Sequence, residues 1–454
     1  MRHYDLVVLG AGSGNMLFTP ELAHLNAAIV EQGRFGGTCL NRGCIPSKMF
    51  VVAADAAVGV ETAARLGVHA TLDHVDWKAV RDRVMGRIGP LPEKAVRYRR
   101  DGGIDVYTEP ARFVAPKVIE VGSERISADT FVVATGSRPV VPAIDGLAGV
   151  TFYTSDTIMQ IDDVPKSLVI IGGGFIAAEF GHVFGAFGSA ITIVQRASRL
   201  LMTEDEQISQ RFTELAAQRH RVLLDTLTLS VESRPGGVAV NVAGDAGAGP
   251  RQTVEAAALL VATGRRPNTD LLDAEAGGLE LDEHGHIVAD SAYRTSVPGV
   301  WAFGDAANHF QLKHMANAEA RVVRHNLVHP DDLHSLPNKL VPHAVFSDPQ
   351  IASVGLTEQH ARERGIDYVV SVRNYADVAY GWALEDTTGF VKLLADPVTR
   401  LLLGAHMIGP QAATLVQPLL QAMTFGQTVD QIGRGVIYIH PALTEVVEQA
   451  LLAF

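Results

Sequence analysis

Apolar residues in this chain come in short runs closed by glycine or by an acid. Residues 6–9 (LVVL) run into Gly10, and residues 27–30 (AAIV) run into Glu31. Four-residue runs that are apolar throughout and bounded by turn residues predict buried strands of a parallel sheet. The glycine-rich stretch between them predicts a tight turn entering a helix. The same layout returns at residues 167–196, where LVIIGGG leads into FIAAEFGHVFGAFG and then AITIVQR. Each half closes on a related phrase, FVVATGSRP at 131–139 and LLVATGRRPN at 259–268, so the chain carries a weak internal duplication.

Residues 102–133 alternate β-branched positions with turn signals, predicting further strands. A strand-like GVWAFGDAA at 299–307 precedes a helical stretch at 315–328, and Pro330 and Pro337 suggest a boundary. Beyond it, strands at 368–372 and 390–394 and apolar helices at 412–425 and 443–452 form a segment without a glycine fingerprint. The pattern predicts an α/β protein with two Rossmann-like dinucleotide-binding domains and a C-terminal α+β dimerisation domain. The expected partition is 1–150 and 271–337 for the first domain, 151–270 for the second and 338–454 for the interface.

Composition removes several alternatives. The 454 residues are 47% hydrophobic and 19% charged, too apolar for a disordered chain. A net charge of −12 argues against nucleic acid as a partner. Four apolar residues before Gly10 are too few for a signal-peptide core, which reads as a cytoplasmic start. Residues 168–194 are the nearest approach to a membrane span, but six glycines and Glu179 make them a poor one. There are two cysteines, Cys39 and Cys44, so a disulfide scaffold or a thiolate zinc site is excluded, and no metal is expected.

The motifs then carry specific chemistry. Gly10, Gly12 and Gly14, with Asn15 where the simple fingerprint has a small residue, allow a pyrophosphate to approach free N–H groups, and Glu31 is spaced to bond ribose hydroxyls. Gly172, Gly173 and Gly174 repeat the fingerprint, ending at Ala177. There the ribose acid is replaced by Gln195, followed by Arg196 and Arg199, which favours a 2′-phosphate and hence NADPH. The cysteines stand four residues apart in GGTCLNRGCIPSK, two ligands short of a metal site. A redox-active pair fits better, with Pro46 at an early helical position and Cys44 near a helix N-terminus. His440, followed by Pro441 and by Glu445, is a candidate proton donor and acceptor.

Together these motifs resemble the FAD-dependent flavoprotein disulfide reductases over essentially the whole chain. The likeness is nearest to the mycothione reductase branch, through GAGSGNM, GGTCLNRGCIPSKMF, ADVAYGWALEDTTGFVKL at 376–393 and IHPALTEVVEQALL at the end. The resemblance implies FAD and NADPH as cofactors, a small-molecule disulfide as substrate, and an obligate homodimer whose active site is shared between subunits. It implies that Cys44 faces the flavin, that Cys39 attacks the substrate, and that Lys48 pairs with Glu179 beside the flavin. It places Thr38, Thr135, Gly136, Ser137, Arg265, Asp305, Lys313 and His314 around FAD, and Gly173, Ile176 and Gly264 along the nicotinamide nucleotide. It makes His440 the acid that protonates the leaving thiol, oriented by Glu445. Relatives carry a second basic residue near the 2′-phosphate; the aligned position here is Met202. Mercuric reductase and the larger thioredoxin reductases need an additional C-terminal cysteine that this chain lacks. The remaining alternatives are an NAD-linked dihydrolipoamide dehydrogenase and a nucleotide-binding regulatory protein that has kept the fold without the chemistry.

Overall fold

The computed structural model describes residues 1–336 and 340–454. The expected boundary between 337 and 338 falls outside the described residues. The chain divides into two compact units: Met1–Met49 with Ala79–Val140 and residues 264–339, and Phe50–Lys78 with Val141–Thr263 and residues 340–454.

The first unit is built on a seven-stranded sheet whose parallel core runs in the order Asp105–Tyr107, Ala27–Val30, Arg2–Leu9, Glu124–Val133 and Val300–Ala302. Register explains why the motifs meet. Leu9 lies opposite Val30 and Val133, and Val133 lies opposite Ala302. The strands therefore end along one carboxyl edge, where Gly10, Glu31, Thr135 and Asp305 follow within a few residues, the usual ligand edge of an open α/β sheet. Val7, Val8, Ile29, Phe131 and Val132 have essentially no exposure, as two-sided burial of a parallel sheet requires.

One expectation fails in this unit. In place of a helix between the first two strands, the chain makes two short 3-10 turns, Gly14–Leu17 and Pro20–Leu22. Pro20 lacks an N–H and its ring would clash with the carbonyl one turn back, while Thr19 before it is extended (φ −122°, ψ 166°). The carbonyls that a helix would have satisfied are taken by a side chain: Arg99 donates to Asn15 O (2.8 Å), Phe18 O (3.3 Å) and Asn15 Oδ1 (2.7 Å).

The second unit holds a four-stranded parallel sheet in the order Arg221–Leu223, Ala190–Val194, Ser167–Ile171, Ala258–Val261. Here the crossover helix forms as expected, Phe175–Ala186. Residues 168–194 are thus strand, helix and strand. The unit also contains a five-stranded antiparallel sheet, His343–Val345, Ile351–Gly355, Leu402–Ile408, Phe390–Ala395 and Val369–Asn374. The helices Ala412–Thr424 and Thr444–Leu452 bury Leu415, Leu419, Val446 and Val447 in the same core as Val391, Leu393 and Met407. Among the described residues, one helical run, Gly37–Leu66, is long and apolar enough to cross a bilayer by length and composition. It is broken at Gly43 (φ −139°, ψ −124°) between Gly37–Arg42 and Cys44–Thr62.

Candidate functional site

Gly10 sits at φ +103°, and a Cβ there would lie 2.3 Å from Ala134 O, so only glycine allows the loop to pass so close to the neighbouring strand end. Gly172 repeats this in the second unit, its Cβ position being 2.3 Å from Ala262 O. Around the first turn, Glu31 accepts from Ala11 N (3.0 Å) and Gly33 N (2.9 Å). A groove lined by Gly10, Val30, Glu31, Thr135, Asn268 and Leu271 opens at this edge, and the buried Thr135 hydroxyl in its wall has no protein partner. An orphaned donor in a glycine-floored groove beside the Glu31 carboxylate fits the nucleotide half of FAD.

The rest of the expected FAD set is tied together locally. Arg265 donates to Ser137 Oγ (2.9 Å) and Ser137 O (2.7 Å), and Ser137 Oγ donates to Asp305 Oδ2 (2.6 Å). Gly136 (φ +68°) makes the turn before Ser137. Asp305 lies in the turn Gly304–Ala306, which is anchored by the buried Glu319 accepting from Gly304 N (2.8 Å) and Asn308 Nδ2 (2.9 Å). Glu319 was not legible from the sequence; its signal is a glutamate set among the buried apolar residues Met315, Ala316, Ala320 and Val323 of its helix. Lys313 begins that helix and donates to Ser13 Oγ (3.0 Å), which donates to Asn317 Oδ1 (3.0 Å). Burial lowers the Lys313 pKa, against the opposing pull of Cys39, Cys44 and Asp305. His314 is exposed.

The cysteine segment rests on the nucleotide turn. A Cβ on Gly37 would come within 2.7 Å of Gly12 Cα, so Thr38 and Cys39 follow directly from that close approach. Asn41, buried and also unread in the sequence, donates from Nδ2 to Arg34 O, Phe35 O and Gly37 O at 3.0–3.1 Å and fixes the loop. Cys39 is half-buried and Cys44 exposed, both as free thiols, and Cys44 is the first residue of its helix. A hydrogen bond with Cys44, then burial, holds the Cys39 thiol far above its usual range, with Lys313 opposing. Cys44 occupies the helix N-terminus, a position that favours a thiolate. Lys48 is half-buried, with Ser47 Oγ at 3.5 Å.

In the second unit the strand ends Ile171 and Val194 are in register, bringing Gly172, Gly173 and Gly174 beside Gln195 and Arg196. Gly173 is packed so closely that a Cβ would meet Gln195 Cδ at 2.8 Å. Ile176 and Glu179 are buried in the helix that follows, and Glu179 Oε1 accepts from Phe346 N (3.1 Å). Arg196 is exposed beyond the strand, but Arg199 is engaged: its Nη1 pairs with Glu206 Oε1 at 2.9 Å. Gly264 (φ +108°) belongs to the first unit. His440 Nδ1 and Glu445 Oε1 share a hydrogen bond of 2.7 Å, the histidine side chain 72% exposed and the glutamate 14%.

This arrangement of dinucleotide folds, dithiol and His–Glu pair has close relatives. Residues 4–320 match the family described as pyridine nucleotide-disulphide oxidoreductase, and residues 341–451 match the dimerisation domain of the same family, which supports a homodimer. Mycothione reductase of Mycobacterium tuberculosis (strain ATCC 25618 / H37Rv) is 47% identical over 100% of this chain and 99% of its own length. A mercuric reductase of Streptomyces lividans is 34% identical over 97% and 94%. Among solved structures, the Cu(II) complex of the HOCl-induced flavoprotein disulfide reductase RclA from Escherichia coli superposes with a TM-score of 0.88 at 27% identity, covering both chains fully. The family description names a pyridine nucleotide, and FAD with NADPH are the cofactors of the mycothione reductase relatives. The chain belongs to the pyridine nucleotide-disulphide oxidoreductase family and is a flavin-dependent disulfide oxidoreductase.

Proposed function

We propose that the protein reduces mycothiol disulfide to two thiols with electrons from NADPH. The observation that carries this reading is the 47% identity to a mycothione reductase across the whole chain, against 34% to the mercuric reductase. Gly10, Gly12, Gly14, Glu31, Thr38, Thr135, Gly136, Ser137, Arg265, Asp305, Lys313 and His314 would hold FAD, which would supply a two-electron relay between the nicotinamide nucleotide and the Cys39–Cys44 pair. Lys48, paired with Glu179, would stand beside the flavin. Gly172, Gly173, Gly174, Ile176, Arg196, Arg199 and Gly264 would receive the nicotinamide nucleotide.

The chain's own residues then perform the exchange. The Cys39 thiol, held above its usual range by its hydrogen bond with Cys44 and by burial, needs a base to take its proton before it can attack. With Nδ1 bonded to Glu445, His440 has Nε2 available to take that proton and return it to the first thiol released. The Cys39 thiolate attacks one sulfur of the substrate, forming a mixed disulfide as the substrate S–S bond breaks. Cys44 then displaces the second sulfur as a thiolate, which takes its proton from solvent, and closes the Cys39–Cys44 disulfide, so two electrons leave the pair and two thiols leave the site. His440 acting on the other subunit's dithiol, and a cytoplasmic location, belong to the same proposal. The test is a turnover panel of mycothiol disulfide, glutathione disulfide and lipoamide against NADPH and NADH. Mycothiol disulfide with NADPH should be fastest by at least tenfold; rapid lipoamide turnover with NADH and none with mycothiol disulfide would overturn the reading.

A further inference from the structure

The helix Lys313–Val328 ends in a cluster that disulfide exchange does not use. His325 lies in its last turn, and Asp332 and His334 come from the chain that folds back over it; one ligand atom from each lies within 4.8 Å of the others. Asp332 Oδ2 stands 3.7 Å from His325 Nε2 and 3.5 Å from His334 Nε2. A direct N–H···O bond would draw such atoms to about 2.7–3.2 Å. Donors around a single ion bound tetrahedrally at about 2.0–2.1 Å are instead held roughly 3.3–3.4 Å apart. The observed spacings lie near the second value. The two imidazole rings now stack with centroids 3.7 Å apart and planes at 15°, so for both in-plane lone pairs to reach one ion a ring must turn out of the stack.

The support is built. Asn326, with no exposure, donates from Nδ2 to His334 O (2.9 Å) and Ala292 O (3.1 Å) and accepts from His334 N (2.7 Å) at Oδ1. Asp332 N donates to His329 O (3.0 Å), closing the turn that carries the carboxylate. The position is also electrostatically favourable, because the carbonyl end of a helix attracts a cation. Two imidazoles and one carboxylate suit zinc, copper or nickel better than magnesium or calcium.

We infer that His325, Asp332 and His334 form a binding site for one divalent transition-metal ion of zinc-like chemistry, its fourth position open to solvent. Side-chain exposures of 28% for His325, 54% for His334 and 76% for Asp332 give the ion an entry path. Ligation moves the His325 proton to Nδ1 and replaces the present bond from Nε2 to Asp332 O (3.0 Å). Twelve residues of helix separate His325 from Lys313, about 18 Å at 1.5 Å per residue. Lys313 is the end that senses Cys39 and Cys44, so the ion clamps the helix to its return loop and takes no part in thiol chemistry.

The test is equilibrium dialysis of FAD-loaded full-length protein against zinc alone, in a Cys39→Ser, Cys44→Ser background that removes competing thiolates. One zinc per subunit should be retained. His325→Ala and His334→Ala should each weaken binding at least tenfold, as should Asp332→Asn, a near-isosteric change that separates lost ligation from misfolding. In the wild-type background the same three substitutions should leave disulfide turnover unchanged. No retained zinc in the cysteine-free protein, or equal retention by all three variants, would overturn the inference.

Discussion

Arg199 and Glu206 illustrate how one carboxylate alters the meaning of a basic pair. Arg196 and Arg199 were legible as candidates for a 2′-phosphate because they follow the second strand of the second nucleotide fold. Their unequal standing was not. Between Arg199 and Glu206 the chain turns through Leu201 at φ +52°, with Leu201 N bonded to Gly173 O and Glu204 N to Leu201 O. No hydrophobic period reports that turn, and it brings the first residue of the helix Glu206–Arg219 back onto Arg199. A charge-assisted contact contributes about 1.5–3 kcal/mol, roughly a ten- to hundredfold change in binding. Arg196→Ala should therefore raise the KM for NADPH by that order with little effect on NADH. Glu206→Gln, which releases Arg199 and removes a negative charge, should lower the KM for NADPH severalfold. Parallel kinetics with both nucleotides decide it: equal changes for NADPH and NADH would remove the phosphate-binding role from this edge.

At the scale of elements, strands were easier to read than the first helix, for a physical reason. A buried parallel strand is written as an uninterrupted apolar run, and LVVL and AAIV each became one. The glycine fingerprint invites a helix after the first turn, yet Thr19-Pro20 interrupts it within six residues of Gly14. That dipeptide was the available signal, outweighed by the template. What the sequence could not disclose is the substitute support: Arg99, 84 residues from Asn15, whose guanidinium also stacks 5.1 Å from the Phe18 ring centroid and 5.4 Å from that of Tyr98. Arg99→Ala leaves two backbone carbonyls and the Asn15 amide oxygen without this donor, at about 1–3 kcal/mol for each oxygen that water cannot reach. The expected outcome is a folded protein whose FAD affinity, measured by fluorescence titration of the apoprotein, falls ten- to hundredfold, with Arg99→Lys intermediate. Unchanged affinity would mean that the 3-10 turns hold the phosphate loop by themselves.

For the whole molecule, the duplication visible in FVVATGSRP and LLVATGRRPN acquires a structural meaning. The two closing phrases pair with each other, Ser137 opposite Pro267 and Pro139 opposite Arg265, in a small antiparallel ribbon of the first unit. The sequence announced two nucleotide folds but not that their ends would meet, because strand pairing over 128 residues leaves no local pattern. The His440–Glu445 pair poses the complementary question of where its partners lie. Its histidine is largely exposed, and the residues before it, Ile437 and Ile439, are 97% and 74% exposed. Large apolar side chains so open to solvent call for a covering surface, and residues 341–451 match a dimerisation domain. If His440 serves the dithiol of the other subunit, two inactive variants must complement each other. Cys44→Ser and His440→Ala subunits, each inactive alone, should on 1:1 denaturation and reassembly give half hybrid dimers. Each hybrid then has one site with both an intact dithiol and an intact histidine, so activity should recover to about a quarter of wild type under two-fold symmetry. A histidine acting within its own subunit leaves every site in the hybrid defective, and the mixture would stay as inactive as its components.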